Sequence, residues 1–169
     1  MARGPSACSI RDRRLVSVGW TIREVRTADA AVWVALRAAL WPDESREALA
    51  NDVRKHLAGS SRGIAFVACD ERDVAVGFAE ATLRRDYVNG TDTSPVGFLE
   101  GWYVAPHWRA RGVGRALVAA VERWTRQQGC TELASDTWLD SIPSQRAHVA
   151  CGFEETERVV YFHKHLAAV

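Results

Sequence analysis

The sequence has little of what marks membrane, zinc-binding or nucleic-acid-binding proteins. No apolar run approaches the roughly 20 residues that a membrane-spanning helix needs. The four cysteines, Cys8, Cys69, Cys130 and Cys151, are widely spaced and lack the close pairing of zinc ligands, which favours reduced thiols in a cytoplasmic protein. The formal net charge is only +1, which argues against a general nucleic-acid surface. We therefore expect no metal, no membrane and no nucleic-acid partner.

The beginning of the chain also lacks features of a targeting or folded segment. Residues 1–18 carry basic side chains but no long apolar core and no clear cleavage site, so they are not a convincing signal peptide. We expect residues 1–19 to be a flexible extension or a non-native start. Residues 20–169 are enough for a single domain with a real core, and their composition is ordinary for a globular protein.

The most informative stretch runs from Phe98 to Trp124 and predicts a strand, a basic turn and a helix. Aromatic and β-branched residues favour a strand up to Val104, and Pro106 has no amide hydrogen with which to continue it. The turn is RARGVG at 109–114. The helix that follows has apolar residues at helical spacing, namely Val113, Leu117, Val121 and Trp124.

The start of this helix predicts an anion site. The first amide hydrogens of a helix have no partner within it, and here the helix dipole and two arginines add positive potential. Neither a Walker motif nor the dinucleotide Gly-x-Gly-x-x-Gly motif is present. The alternative is a basic connection that binds no ligand.

The remaining patterns predict an α/β fold. The predicted order is β-α-α-β-β-β-α-β-α-β. Strands are expected at 20–25, 64–69, 74–84, 98–104, 131–136 and 157–165. Helices are expected at 31–40, with Val32, Leu36 and Leu40 on one side, at 45–57, at 113–124 and at 144–151.

Together these segments resemble the GNAT superfamily of N-acetyltransferases, and in particular the aminoglycoside 6′-N-acetyltransferases. The similarity covers nearly everything after residue 20 and is carried by LWP at 40–42, RRDYVNG at 84–90, SPVGFLEGWYV at 94–104, RARGVG at 109–114, ASDT at 134–137, SQRAH at 144–148 and GFEETERV at 152–159. The resemblance implies a mixed central sheet that splays at an acetyl-CoA site, with helices on both faces. It also implies a homodimer that transfers acetyl from acetyl-CoA to the 6′-amine of aminoglycosides, which confers resistance.

The resemblance also implies which residues hold coenzyme A. Backbone groups of Trp102, Tyr103 and Val104 should bind the pantetheine arm like an added strand. The pyrophosphate should lie on the turn and first helical residues, Arg109, Ala110, Arg111, Gly112, Val113, Gly114 and Arg115. Ser141 stands where the family often has an asparagine that contacts the coenzyme. Gly101, within a strand, predicts a β-bulge that opens the sheet.

The chemistry needs a group that takes a proton from the attacking amine, because alkyl amines are mostly protonated at neutral pH. Glu100 and Asp136 are the candidate acids near the cleft, for binding a cation and for accepting protons. Strand alternation predicts that Glu100 shares a face with Trp102 and Val104. The alternative for either acid is a pair with a nearby arginine.

Other candidates follow from the resemblance. Trp41, Tyr87 and Glu157 match substrate-contacting positions, although they also fit a core tryptophan, a loop tyrosine and a solvated acid. His148 stands where many acetyltransferases have a tyrosine that protonates the leaving thiolate; a structural histidine is the alternative. Tyr161 is a second candidate acid. Direct transfer in a ternary complex needs no enzyme nucleophile.

Two other functions are compatible with the sequence. A GNAT enzyme that acts on a peptide N-terminus, a lysine or a polyamine would also need an acidic cleft. A coenzyme A-binding regulator without turnover is the non-enzymatic alternative.

Overall fold

Five strands form one mixed sheet in the computed structural model, which describes residues 19–60 and 63–166. The strands are β1 (Trp20–Glu24), β2 (Gly63–Asp70), β3 (Ala75–Arg84), β4 (Val96–Val104) and β5 (Leu133–Ser135). They lie in the sheet in chain order; neighbours are antiparallel except β4 and β5, which are parallel. The predicted N-terminal extension falls, except for Gly19, outside the described residues.

Four α-helices accompany the sheet in this described part: α1 (Ala30–Leu40), α2 (Arg46–Leu57), α3 (Val113–Gln127) and α4 (Ile142–Ala150). The predicted start of α2 is confirmed, because the Ser45 hydroxyl accepts a hydrogen bond from the Ala48 amide at 3.1 Å. In α1 the predicted stripe faces the core: Leu36 is buried, and Val32 and Leu40 are half-buried against the same cluster. Trp33, which the stripe did not include, is the other buried residue of this helix. None of the described helices has both the length and the apolar character needed to cross a membrane.

The core has a cluster on each face of the sheet. On one face Leu117, Val118 and Val121 of α3 pack against Ala79 and Leu99. On the other face α1 and α2 pack against β2 and β3, through Trp33, Leu36, Val53, Val67 and Phe78. Helices therefore cover both faces, as expected. The basic turn at 109–114 connects the end of β4 to the start of α3.

The predicted last strand is wrong. Residues 153–166 are irregular, and from Glu154 onward they are exposed, although residues 157–165 alternate in a strand-like way. Their apolar side chains face solvent, up to 92% exposed at Phe162. Alternation makes a strand only where a neighbouring strand supplies hydrogen-bond partners, and within the described chain none pairs with this segment.

Candidate active site

The sheet opens between β4 and β5. The two strands pair only from Gly97–Leu99 to Leu133–Ser135, whereas β3 pairs with β4 along its full length. Beyond Leu99, β4 therefore continues with one edge lacking a strand partner among the described residues. Glu100 and Asp136 are the next residues on the two strands, so they flank the point of divergence. The predicted splay is present, and the two predicted acids stand at its apex.

A β-bulge lies on β4 at this apex. Glu80 pairs with Gly101 and the next residue, Ala81, pairs with Leu99, so Glu100 is the extra residue. The bulge breaks side-chain alternation: Glu100 contacts β3 side chains on the α1–α2 face, whereas Trp102 packs on the α3 face. The prediction that Glu100 shares a face with Trp102 and Val104 is therefore wrong, because it assumed regular alternation.

Glu100 has close partners within the site. Its carboxylate accepts hydrogen bonds from the Thr82 hydroxyl at 2.5 Å and from Arg84 Nη2 at 2.6 Å and Nε at 3.1 Å. The Arg84 guanidinium in turn lies 3.3 Å from the centroid of the Phe98 ring. The alternative of an acid paired with an arginine is thus the observed geometry for Glu100. The pair leaves the Glu100 side chain 29% exposed, so a second cation can still reach it.

Asp136 differs from Glu100. It is exposed, it follows the last residue of β5, and it has no hydrogen bond or ion pair within residues 19–60 and 63–166. Its negative charge is therefore uncompensated at the open side of the splay. Of the two predicted acids, Asp136 offers the freer carboxylate to a cationic group.

A charged pair that the sequence analysis missed lies under the bulge. Arg37 Nη1 is 2.5 Å from both oxygens of Glu80, and Arg37 Nη2 is 3.7 Å from Asp52. Burial raises the pKa of the Glu80 carboxyl, and the neighbouring Arg37 opposes that shift. The only sequence signal was one acid within the apolar strand FAEAT at 78–82.

Glu80 and Glu100 share a cavity of about 240 Å³. Trp41 lies beside it, half-buried, with its ring centroid 4.8 Å from Arg37 Cζ and 6.1 Å from that of Phe78. Trp41 also touches the bulge, because a Cβ on Gly101 would come within 2.5 Å of its Cη2 atom. The structure thus places Trp41 against Gly101, the residue after Glu100, and it explains the glycine at 101 by close packing.

Backbone groups of β4 line the open edge. Because the Ala105 amide donates to Val76 of β3 at 2.9 Å, alternation turns the peptide groups of Tyr103 toward β3 as well. Those of Trp102 and Val104 face the open side. Of the three residues predicted to bind pantetheine, Trp102 and Val104 therefore have peptide groups on the open side, whereas those of Tyr103 face β3; their roles stay predictions.

The turn before α3 has the features of an anion site. Gly112, its N-cap residue, has φ 81°, Ala110 has φ 57°, and no side chain within the described chain caps the helix start. A non-glycine residue with positive φ is uncommon and marks functional loops. Arg109 and Arg111 are exposed beside these amides, and Arg109 Nε donates to the Val104 carbonyl at 2.8 Å. The predicted residues from Arg109 to Gly112 thus form one basic, uncapped surface with Arg115, whereas the Val113 side chain is buried in the core.

Gly114 has a packing reason of its own. A Cβ at this position would lie 2.8 Å from Cζ2 of Trp102, which packs between α3 and α4. The glycine lets the helix approach the indole. A substitution there would disturb this packing whether or not a ligand binds nearby.

His148 is built into the structure behind Trp102. Its Nδ1 is 2.8 Å from the Ser144 carbonyl, its Nε2 is 3.0 Å from Ser135 Oγ, and its ring meets Trp102 and Phe153 edge to face. These contacts fix α4 against the diverging strands. They support the structural alternative for His148, and its acid role stays a prediction.

The other predicted residues are spread around the splay. Ser141 precedes α4 and is half-buried without capping that helix. Tyr87 is 79% exposed on the loop before β4, and Glu157 accepts a hydrogen bond at 2.5 Å from Asn89 of the same loop. Tyr161 is 85% exposed on the irregular C-terminal segment, so within this chain it is not brought to the site. No cluster of potential metal ligands occurs in the described part of the chain.

Comparison with known proteins places this geometry in a family. The sequence model of the Acetyltransferase (GNAT) family matches residues 29–153. The chain is 57% identical over 145 residues to an aminoglycoside N(6′)-acetyltransferase type 1 from Stenotrophomonas maltophilia, which covers 84% of this chain and 91% of that protein. It is 46% identical over 143 residues to the protein of the same name from Salmonella typhimurium, covering 85% and 97%.

Solved structures agree. AAC(6′)-Iy in complex with the bisubstrate analogue CoA-S-monomethyl-acetylneamine matches with a TM-score of 0.81 and 44% identity, over 87% of this chain and 99% of that one. AAC(6′)-Ih from Acinetobacter baumannii matches with a TM-score of 0.81 and 42% identity, over 88% and 100%. Since the family match spans most of the domain, and relatives of this identity share the overall fold, the chain belongs to the GNAT family of acetyltransferases.

Proposed function

We propose that this protein transfers the acetyl group of acetyl-CoA to the 6′-amine of aminoglycosides and thereby confers resistance to them. The observation that carries the proposal is the pair of acids, Glu100 and Asp136, at the apex of the opening between β4 and β5. A cationic sugar bound there lies beside the β4 edge that faces the open side. The relatives described above are named for this activity.

The residues present fit coenzyme A. The uncapped start of α3, the positive φ of Ala110 and the exposed Arg109 and Arg111 suit a pyrophosphate, because backbone amides and positive charge bind anionic oxygens. The peptide groups of Trp102 and Val104 suit an extended amide-containing arm, in the manner of an added strand. When bound, acetyl-CoA supplies the thioester that the amine attacks.

The chain's own residues would position and deprotonate the amine. Asp136, with its free carboxylate, draws in an ammonium group and accepts its proton directly or through water. Glu100 binds a further ammonium beside its pair with Arg84. The Val104 amide faces the open side and would donate to the oxygen on which charge develops. Trp41 forms a wall beside Glu100, and Tyr87 and Glu157 extend the surface along the loop.

A thiol-release assay tests the proposal. Purified protein and acetyl-CoA are mixed with aminoglycosides that carry a 6′-amine, and with peptides, lysine and polyamines at matched concentration. The proposal expects fast release only with the aminoglycosides. Turnover restricted to peptides or polyamines would favour the second function, for which the acidic cleft is the supporting observation. Coenzyme A binding without any turnover would favour a regulator.

We further infer a homodimer, with the irregular C-terminal segment as its contact surface. Five large apolar side chains of this segment are exposed: Val159, Val160, Tyr161, Phe162 and Leu166. The segment alternates like a strand, and a second copy would supply the missing neighbour and bury these side chains. Tyr161 lies on it, so its predicted acid role depends on where the second copy holds the segment.

Light scattering of the full chain, and of a variant ending at residue 158, tests the dimer. We expect a dimer mass for the full chain and a monomer mass for the truncated one. A full chain that is monomeric at assay concentration would contradict the inference. A cytoplasmic location also stays a prediction; it is supported by the free thiols of Cys69, Cys130 and Cys151.

A further inference from the structure

We propose that Arg37 and Glu80, which belong to α1 and β3, are positioning residues for the aminoglycoside. This inference rests on the proposed function and deepens it. The pair lies under the bulge that carries Glu100 and beside Trp41, and it is not among the residues that the family resemblance implies.

The pair joins three parts of the fold. Arg37 Nη1 lies 2.5 Å from each Glu80 oxygen, which links α1 to β3. The same guanidinium lies 4.8 Å from the ring centroid of Trp41, the C-cap residue that follows α1. Glu80 lies under β4, because a Cβ on Gly101 would be 3.3 Å from its Cγ atom. The Arg37 guanidinium therefore contacts the Trp41 indole and the Glu80 carboxylate, and through these two side chains it supports the bulge beside Gly101.

The pair is buried enough to fix these positions. The side chains of Arg37 and Glu80 are 12% and 13% exposed, so solvent screens their attraction little. The ring centroid of Trp33, a second indole near this guanidinium, lies 5.8 Å from Arg37 Cζ. A planar guanidinium can bind a carboxylate and stack on indole rings at once, which a lysine ammonium does not reproduce.

Charge supports the same role. Glu80, Glu100 and Asp52 line one cavity with Arg37, Lys55 and His56, and Arg84 faces Glu100 from β3. The Glu80 carboxylate compensates the positive charge of Arg37 beside the cavity that would bind a polycationic substrate. Loss of the Glu80 charge would leave the buried Arg37 with only its 3.7 Å contact to the exposed Asp52, and its remaining positive charge would repel the substrate. Loss of Arg37 would release Trp41 from its stacking partner.

Kinetics of four variants tests the inference. Glu80→Gln keeps the shape but removes the charge, Arg37→Met removes the guanidinium, and Arg37→Lys keeps only its charge. Asp29→Asn is the matched control, because Asp29 forms the other buried carboxylate–arginine pair, with Arg23, at the opposite end of α1. Melting temperature, coenzyme A Kd, and KM and kcat for the aminoglycoside are measured for each.

For the first two variants we expect kcat/KM for the aminoglycoside to fall about tenfold or more, with coenzyme A Kd within about twofold of wild type. Arg37→Lys should fail to restore kcat/KM. Asp29→Asn should lower the melting temperature without changing kcat/KM for the aminoglycoside or the Kd of coenzyme A. If Arg37→Met does not fold, the subtler Glu80→Gln carries the test.

Variants that lose melting temperature alone, like the control, would overturn the positioning role, as would Arg37→Lys with wild-type kinetics. In both of these outcomes the wild-type enzyme still turns over aminoglycosides, so the proposed function survives. A wild type without such turnover would instead refute the proposed function and this inference with it.

Discussion

Leu99 and Ser135 form the last pair between β4 and β5, and the Ser135 hydroxyl donates to the Leu99 carbonyl at 3.1 Å. Beyond this pair the strands separate. β4 then continues to Glu100, which lies on the bulge, and the chain after β5 continues to the exposed Asp136. Every role that we assign to the site depends on this separation, because it frees the β4 edge for an extended ligand while keeping two acids close to that edge.

Neutralising either acid should lower kcat/KM for the aminoglycoside, but for different physical reasons. Asp136→Asn should lower kcat/KM for the aminoglycoside by about tenfold or more, because its charge is uncompensated. Glu100→Gln should also lower it, since it leaves the Arg84 guanidinium without a partner beside the cation.

The double variant Glu100→Gln with Arg84→Gln removes that stranded charge and should recover part of the loss. Steady-state kinetics with coenzyme A affinity as the control measures this. If both single variants keep wild-type kcat/KM, neither carboxylate contacts the substrate.

The turn before α3 can be tested with two glycines of identical backbone angle. Gly112 and Gly129 both have φ 81° and lie at opposite ends of α3, and a Cβ meets no clash at either position. Alanine at each should cost about 1 kcal/mol of folding free energy, because left-handed backbone disfavours a Cβ.

Only Gly112→Ala should also weaken coenzyme A binding, since it would shift the amides that we propose bind the pyrophosphate. Calorimetric Kd values with matched unfolding curves measure both effects. Equal Kd values for the two variants would remove the anion site from this turn.

Acid should weaken the attachment of α1 through Asp29. Its carboxylate accepts hydrogen bonds from Arg23 at 2.7 and 2.9 Å, and these hold its pKa below the usual range. A lowered folded-state pKa means that the stabilisation is fully present above the usual carboxyl pKa of about 4 and is lost as pH falls below it.

Asp29→Asn should therefore reduce the free energy of unfolding by about 2 kcal/mol at pH 7, and the difference from wild type should shrink as pH falls below about 4. Urea unfolding across this pH range measures it. A difference that stays constant, or that grows in acid, would show that the ion pair does not stabilise the fold.

His148 should prove structural. His148→Phe keeps the ring contacts with Trp102 and Phe153 but loses the hydrogen bonds to Ser135 and Ser144, so we expect a lower melting temperature and a modest fall in kcat. The pH profile of kcat should keep its shape. Loss of its alkaline limb in this variant would instead identify His148 as the acid for the leaving thiolate.

Much of the fold could be predicted from the sequence, because local patterns carry it. The apolar spacing of Val113, Leu117 and Val121 identified α3, and these residues are all at most 1% exposed. The face of the sheet on which the Glu100 side chain lies could not be predicted. One extra residue in a strand reverses the alternation of side chains, and the position of this bulge depends on the register of β4 with β3. The Arg37–Glu80 pair joins residues 43 positions apart, which no local pattern reveals. The last strand was predicted wrongly for a related reason: a strand needs a partner that periodicity does not show.

The regiochemistry of acetyl transfer tests the central claim most directly. Purified enzyme and acetyl-CoA are incubated with an aminoglycoside that carries a 6′-amine and with its 6′-hydroxyl analogue, and the products are mapped by mass spectrometry. If the splay holds one amine at the thioester, as we propose, a single acetyl group is expected on the 6′-nitrogen, with little reaction of the hydroxyl, a poorer nucleophile. Acetylation at another ring amine, or equal turnover of the 6′-hydroxyl analogue, would contradict the account.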